Sequence, residues 1–370
     1  MAQSDRTGRR SLDQASRRSA ARLIPVRYED APVVSAIRLH QVAVERFPVR
    51  DAFTISRGAK TFVDVVTCTV SDGDLFGRGE GTPIYYHGET AQDCAAAIEA
   101  LAQAYGVSDR ETLRHLMPPG AARNALDCAL WDLEAKRSGR PAWAIAGLNE
   151  PQPVRTAYTI SLDEPEQMAQ AAAAARARGF TLLKCKLTGV GDRARIEAVR
   201  AGAPDVDLIV DANESWAGLD LLAEARALAD LGVSLIEQPL PAKADSALNG
   251  FDLPVPICAD ESCQSLGDLA RLGAYRAINI KLDKAGGLTE ALAMASAAKA
   301  QGKQIMVGCM LASSLGIAPA FLLAQLADWV DLDGALLLAK DRVGAMAVSD
   351  GLLSPGTLWG QAIITDAQPS

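Results

Sequence analysis

Three short stretches each carry a carboxylate directly after an apolar run: Ile209-Val210-Asp211-Ala212-Asn213, Leu235-Ile236-Glu237-Gln238-Pro239 and Cys258-Ala259-Asp260-Glu261-Ser262. Each reads as the C-terminal end of a buried strand. Adjacent strands lie roughly 4.8 Å apart, so Asp211, Glu237 and Asp260 are expected to converge on one point. Carboxylates held that close repel unless a hard cation sits among them, and an all-oxygen donor set without His or Cys favours Mg²⁺ over zinc. One such acid could merely cap the next helix; three in succession, each after a buried-strand pattern, argue for a metal site.

Two further strand ends carry lysines. Lys184-Cys185-Lys186 closes the run Phe180-Thr181-Leu182-Leu183, and Ile278-Asn279-Ile280 leads into Lys281. Side chains alternate along a strand, so Lys184 and Lys186 share one face and Cys185 takes the other. Each ammonium then raises the cost of protonating its neighbour, which predicts a lysine pKa lowered towards the range of a general base. An isolated pair of this kind is commonly a solvated surface feature; the nearby acids are what give it chemical meaning.

These ends recur at a steady interval. From Val154 to about residue 340, short apolar strands alternate with Ala/Leu-rich helical stretches, with strand ends near Thr159, Lys186, Asp211, Glu237, Asp260, Lys281, Gly308 and Asp331 and gaps of 21 to 27 residues. Eight βα units at that interval predict a closed parallel (β/α)8 barrel, whose strand C-termini carry the active site. An open doubly wound sheet would leave the ionisable strand ends unexplained, and no glycine-rich phosphate loop follows a strand. In an eight-stranded barrel strands two and six stand opposite, so Lys186 and Lys281 would face each other across the metal. A planar carbanion held between them could lose a proton to one and gain one from the other. That geometry suits inversion at a carbon next to a carboxylate, with the metal taking up the enediolate charge.

Before the barrel, alternation over Val33 to Arg50 and Thr61 to Val70, then Leu75 to Gly79 after the turn Ser71-Asp72-Gly73-Asp74, predicts a small antiparallel sheet. Asp51 to Gly58 reads as a loop long enough to reach the neighbouring domain. Thr90 to Tyr105, Arg110 to Leu116 and Ala121 to Arg137 read as helices, the last stopped by Gly139 and Pro141. The expected organisation is a disordered basic arm over 1–30, an α+β capping domain over 31–150, the barrel over 151–340, and a segment over 341–370 that returns to the capping domain. Arg9-Arg10 lacks the apolar stretch of an export signal. Net charge is −8, which argues against a nucleic-acid partner, and no apolar run is long enough for a membrane span. Seven scattered cysteines without a CxxC pair predict reduced thiols in a cytoplasmic protein. With only three histidines, acid/base work falls to Lys, Asp or Glu. His87 is read as a loop residue rather than a catalyst.

Together, KxK, DANESW (211–216), IEQPLP (236–241), ADES (259–262) and IKLDKAGGLTEA (280–291) resemble the enolase superfamily, muconate-lactonising subgroup. GAARNALDCALWDL (120–133) and Asp331-Leu332-Asp333-Gly334 are similar, within it, to the bacterial L-Ala-D/L-Glu epimerases, a family of dipeptide epimerases. The likeness runs over about residues 33–355 and implies a modified barrel of enolase type. It implies one Mg²⁺ per subunit on Asp211, Glu237 and Asp260, and Lys186 and Lys281 as the acid/base pair; lysine or histidine bases with Mg²⁺ are the general chemistry of enolase-superfamily sites. Lys184 would help bind the substrate carboxylate, Asp331 and Asp333 would hold its terminal ammonium, and Arg57 would pair with a glutamate side chain. Thr159 and Cys309 would line the pocket. The implied reaction is epimerisation of L-Ala-D-Glu and L-Ala-L-Glu in murein peptide recycling. A dipeptide epimerase of other specificity, an o-succinylbenzoate synthase or a muconate cycloisomerase is the alternative, and homo-oligomerisation stays open.

Overall fold

The computed structural model describes residues 37–55 and 58–363; the predicted basic arm and Arg57 lie outside the described residues. The chain begins with an antiparallel sheet, β1 (Arg38–Ile55), β2 (Gly58–Asp72) and β3 (Leu75–Gly81), in that order. Three helices follow: α1 (Ala91–Tyr105), α2 (Arg110–Leu116) and α3 (Ala121–Ser138). Thr90 and Asp109 cap the first two, each accepting a backbone N–H three residues on, and Gly139, at φ 62°, ends the third. The stretch predicted as a loop over Asp51–Gly58 is largely strand. Beyond an irregularity between Pro48 and Phe53 the hairpin resumes, pairing Phe53 with Lys60 and Ile55 with Gly58. Pro48, which has no N–H to donate, interrupts the ladder without ending it.

Sheet and helix meet through a matched repeat. Gly77, Gly79 and Gly81 face α3, and an added Cβ on each would stand 2.2, 2.0 and 2.1 Å from the carbonyl oxygens of Ala129, Ala125 and Ala121. Two strand residues rise about 6.7 Å and four helix residues about 6 Å. Period two on β3 therefore runs in step with period four on α3, and glycine lets the two backbones touch.

After the short helix α4 (Ala142–Ile145) and strand β4 (Val154–Arg155) comes the barrel. Its strands are β5 (Tyr158–Ile160), β6 (Leu182–Lys186), β7 (Asp207–Asp211), β8 (Val233–Glu237), β9 (Ile257–Ala259), β10 (Ala277–Ile280), β11 (Gln304–Gly308) and β12 (Trp329–Asp331), parallel and in sequence order. The ring is bridged between its first and last strands by the Ala157 N–H donating to Val330 O at 2.8 Å. Helices α5 (Pro165–Ala177), α6 (Asp192–Gly202) and α7 (Leu221–Asp230) follow the first three strands; α8 (Leu282–Ala285) and α9 (Leu288–Ala300) follow β10, and α10 (Ser314–Ala324) follows β11. The pattern of eight equal βα units does not hold throughout. Short 3₁₀ helices over Ala242–Leu248 and Leu266–Arg271 stand after β8 and β9, and among the described residues no helix follows β12. Pro239 and Pro241 remove donors at the first of these places, and Gly267 weakens the second.

Ala157, Leu182, Ile209, Leu235, Cys258, Ala277 and Met306, with Trp329 against them, pack as one apolar cluster inside the barrel. This layer plugs its N-terminal end. The alternate residues Leu183, Cys185, Val210, Ile236, Ile278, Ile280 and Val307 belong to the larger core that includes the surrounding helices. Past β12, β13 (Ala347–Ser349) and β14 (Leu352–Ser354) form a three-stranded sheet with β4. Trp359 Nε1 donates to Cys128 O at 2.9 Å, and Gly360 N to Asp132 Oδ1 at 2.9 Å, so the last segment packs on α3. The buried Glu80 accepts from Ser313 N and from Arg342, whose guanidinium also meets Glu45. The seven cysteines are free, and no helix among the described residues is long and apolar enough to cross a membrane.

Candidate active site

Two residues above the apolar plug, every inward position that carries a side chain is polar. Stepping by two gives Lys184 and Lys186 from Leu182, Asp211 from Ile209, Glu237 from Leu235, Asp260 from Cys258, Asn279 and Lys281 from Ala277, and Asp331 and Asp333 from Trp329. Register sets the acids side by side, since Lys186 pairs with Asp211 and Asp211 with Glu237. Asp211, Glu237 and Asp260 are all buried, and each offers an oxygen within 4.8 Å of the others. Behind the first two, Asn213, Glu214 and Gln238 hold φ of 43°, 68° and 35°, a left-handed turn that non-glycine residues rarely adopt. Gln238 also accepts the backbone N–H of Asp260 at 2.9 Å and of Ser262 at 3.1 Å, which ties the third acid to the second.

The lysines are interleaved with these acids. Lys186 Nζ donates to Asp211 Oδ2 and Lys281 Nζ to Asp260 Oδ2, both at 2.7 Å. Lys184 Nζ donates to Asp331 Oδ2 at 2.8 Å and stands 2.5 Å from Glu237 Oε2. That last approach is an ion pair without hydrogen-bond alignment, for Oε2 of Glu237 accepts no hydrogen bond among the described residues. The buried Lys284 donates to Asp260 Oδ1 at 2.6 Å and to three carbonyl oxygens, those of Asp260, Cys263 and Asn279. Both oxygens of Asp260 are therefore held by lysines.

Electrostatics corrects one expectation. Burial opposes the charge of Lys184, but Asp331, Glu237 and Asp211 outweigh it and hold its pKa well above the ordinary lysine value. Burial is likewise outweighed at Lys281 by Asp260 and Glu237. Repulsion between neighbouring lysines was the wrong dominant effect, because the closest charges are carboxylates. The acids divide. Burial and the neighbouring Asp211 push Glu237 up to about 7, whereas at Asp211 Lys186 and Lys184 overcome burial and pull it down. Asp333 is pushed up to about 7 by burial and by Asp331.

The donor set fits a hard divalent cation: three buried carboxylates in mutual reach, one with an oxygen that accepts no hydrogen bond among the described residues, and no sulfur or imidazole among them. Asp331 and Asp333 line the same cavity as Lys184, Lys186, Asp260 and Lys281, as do Thr159 and Cys309. Thr159 N donates to Asp333 Oδ2 at 2.7 Å, and Oδ1 of Asp331 is buried without a hydrogen-bond partner among the described residues. Cys309 is half-buried; desolvation pushes its thiol far above its usual pKa, and it donates to Asp331 O at 3.4 Å, so it packs rather than reacts. His87 does not line this cavity; its ring packs edge-on against Tyr86 at 4.7 Å.

Three residues in or behind the site were given no role by the sequence reading. Lys60 reaches the cavity from the hairpin, its ammonium 4.1 Å from the ring centroid of Tyr85. Reading residues 51–58 as a loop hid the alternation that would have pointed to it. Asn279 was legible, being two before Lys281 on one strand. Lys284 was not, since nothing in a helical position says that its ammonium turns back beneath Asp260.

Comparison with known proteins gives this architecture a family. Residues 34–147 match the model of the mandelate racemase / muconate lactonizing enzyme N-terminal domain, and residues 167–357 the enolase C-terminal domain-like model. The L-Ala-D/L-Glu epimerase of Escherichia coli (strain K12) is 44% identical over 86% of this chain and 99% of its own. An N-acetyl-D-glutamate racemase of a Pseudoalteromonas species is 43% identical over 80% of this chain and 96% of its own. An enolase family member from Agrobacterium tumefaciens with homology to dipeptide epimerases, solved with bound sodium and L-Ala-L-Glu, superposes with a TM-score of 0.84 at 50% identity, covering 88% of this chain and 100% of that one. The chain belongs to the enolase superfamily, in its mandelate racemase / muconate lactonizing enzyme branch, and groups there with the dipeptide epimerases.

Proposed function

We propose that the protein epimerises L-Ala-D-Glu and L-Ala-L-Glu by two-base proton transfer, with one Mg²⁺ per subunit held by Asp211, Glu237 and Asp260. The observation that carries this reading is the pair of lysines on strands two and six of the barrel, each bonded to a different acid of one carboxylate cluster. Bound there, the cation would supply charge stabilisation to the enediolate and offset the carboxylate charge that raises the pKa of Lys281. With the glutamyl α-carbon between them, the unprotonated lysine removes the α-proton from one face and the protonated lysine delivers one to the other. Each turnover exchanges the protonation states of Lys186 and Lys281. Lys184 offers its ammonium to the substrate carboxylate.

Recognition follows charge. Asp331 and Asp333 suit a terminal ammonium, because a buried carboxylate oxygen without a donor gains most from one. Lys60, together with Arg57, supplies positive charge for the glutamate side chain. Peptides of this kind arise in murein turnover, and reduced thiols suit a cytoplasmic location. The second reading, an N-acylglutamate racemase, rests on the Pseudoalteromonas relative, but an N-acyl group would bring no cation to Asp331 and Asp333. Incubation with Mg²⁺ in D₂O, with the α-proton followed by NMR, separates the two. Deuterium incorporation with interconversion of the L-Ala-Glu isomers supports the proposal; exchange of N-acetylglutamate alone refutes it.

A further inference from the structure

Gly308 ends β11 beside Asn279 and Lys281, and its bareness is not explained by backbone conformation, since it is absent from the glycines with positive φ. What explains it is space. A Cβ at this position would stand 2.7 Å from Oδ1 and 2.9 Å from Nδ2 of Asn279, and 3.1 Å from Cε of Lys281. These are shorter than the ~3.5 Å at which nonbonded heavy atoms sit comfortably. Neither neighbour is free to withdraw. Asn279 is fully buried, and its Nδ2 donates to Glu237 Oε1 at 2.6 Å; Lys281 is tied to Asp260 at 2.7 Å.

We propose that Asn279 and Gly308 act as a positioning pair. Asn279 binds one oxygen of Glu237 and leaves the other, Oε2, turned to the carboxylate cluster, while the missing side chain at 308 keeps Asn279 and Lys281 in place. The effect is one-sided. Lys186 is bonded to Asp211 on the opposite wall, and the three atoms nearest to a Cβ at 308 belong to Asn279 and Lys281. Crowding at 308 therefore displaces one lysine and one metal ligand and spares the other lysine. The part concerning Lys281 rests on the two-base reading above; the part concerning Glu237 rests only on the carboxylate cluster.

The test uses full-length wild type, Gly308→Ala and Asn279→Ala. Metal-free protein is titrated with Mn²⁺ and free ion is read by electron paramagnetic resonance. Loss of a hydrogen bond behind a metal ligand typically weakens affinity by roughly 10- to 100-fold, and both variants are expected in that range. Mg²⁺-loaded proteins are then given each L-Ala-Glu isomer in D₂O, with Lys186→Ala and Lys281→Ala identifying which isomer each lysine deprotonates. Gly308→Ala is expected to slow exchange of the isomer served by Lys281 about 10-fold more than the other, as sub-ångström misplacement of one base should. Equal slowing of both isomers, or wild-type Mn²⁺ affinity in Asn279→Ala, overturns the proposal. Asn279→Ala removes atoms rather than adding them, so it decides the matter even if Gly308→Ala does not fold. Should wild type exchange neither isomer, the epimerase reading fails while the Mn²⁺ titration still judges the positioning pair.

Discussion

Replacing Asp283 by asparagine should stabilise the protein at alkaline pH and leave it nearly unchanged in acid. Asp283 lies on α8, two residues after Lys281, and its Oδ1 accepts both Thr82 N and Asn124 Nδ2 at 2.8 Å. It thus fastens the end of β3 and α3 to the barrel rim. Burial pushes its carboxyl from 3.8 up to about 7, in spite of those two hydrogen bonds. Between these two values the folded state keeps a proton that the unfolded chain releases, so stability is full below about pH 4, falls as pH rises to about 7, and is flat beyond. A shift of about three units at ~1.4 kcal/mol each bounds the loss at about 4 kcal/mol. Asparagine keeps the accepting oxygen, and so both bonds, without a charge to bury. At an unfolding entropy of ~2.1 cal/mol/K per residue, each kcal/mol moves Tm by about 1.3 °C in a chain this long. The expected gain is about 3–5 °C at pH 8, vanishing towards pH 4, by scanning calorimetry of variant and wild type in parallel. Glu237 and Asp333 titrate in the same window but are present in both proteins and cancel in the difference. A Tm difference that does not change with pH would refute the assignment.

Three further outcomes follow from the same geometry. Gly79→Ala drives a Cβ to 2.0 Å from Ala125 O, which helix backbone cannot yield, so a loss of about 3 kcal/mol or more is expected by denaturant unfolding; Gly273→Ala, with nothing within 4 Å, should be near neutral, and similar losses in both would remove the close-packing argument. Adding Mg²⁺ to chelator-treated protein should raise Tm by about 3 °C near 100 times Kd, with Asp260→Asn flat; an unresponsive wild type would dismiss the cation site. Asp333→Asn should raise KM for L-Ala-Glu roughly 10- to 100-fold, in line with the ~1.5–3 kcal/mol of a charge-assisted hydrogen bond. An unchanged KM in steady-state kinetics would take the ammonium away from this pair.

How much of this was written in the chain can be judged residue by residue. Eight strand ends and the three N-terminal helices fall within a residue or two of where alternation, capping and turn chemistry put them, because strand period and helix caps are local properties. Parallel strand order followed too, since βα connections this short leave few alternatives. Period two then carries Leu182 to Lys184 and Lys186, and Ala277 to Asn279 and Lys281, so the gathering of the acids and lysines at one end of the barrel was legible from the chain alone. Tertiary structure alone decided the rest. Whether Lys184 feels a lysine or three carboxylates depends on side chains from β7, β8 and β12, and the sign of its pKa shift changed with them. The hairpin that brings Lys60 to the cavity continues through an irregularity that alternation cannot read, and the ammonium of Lys284 turns back under Asp260 from a helix. Local pattern fixes which face a residue takes; burial, charge and contact are sums over neighbours distant in sequence, and only the closed barrel brings those neighbours within reach.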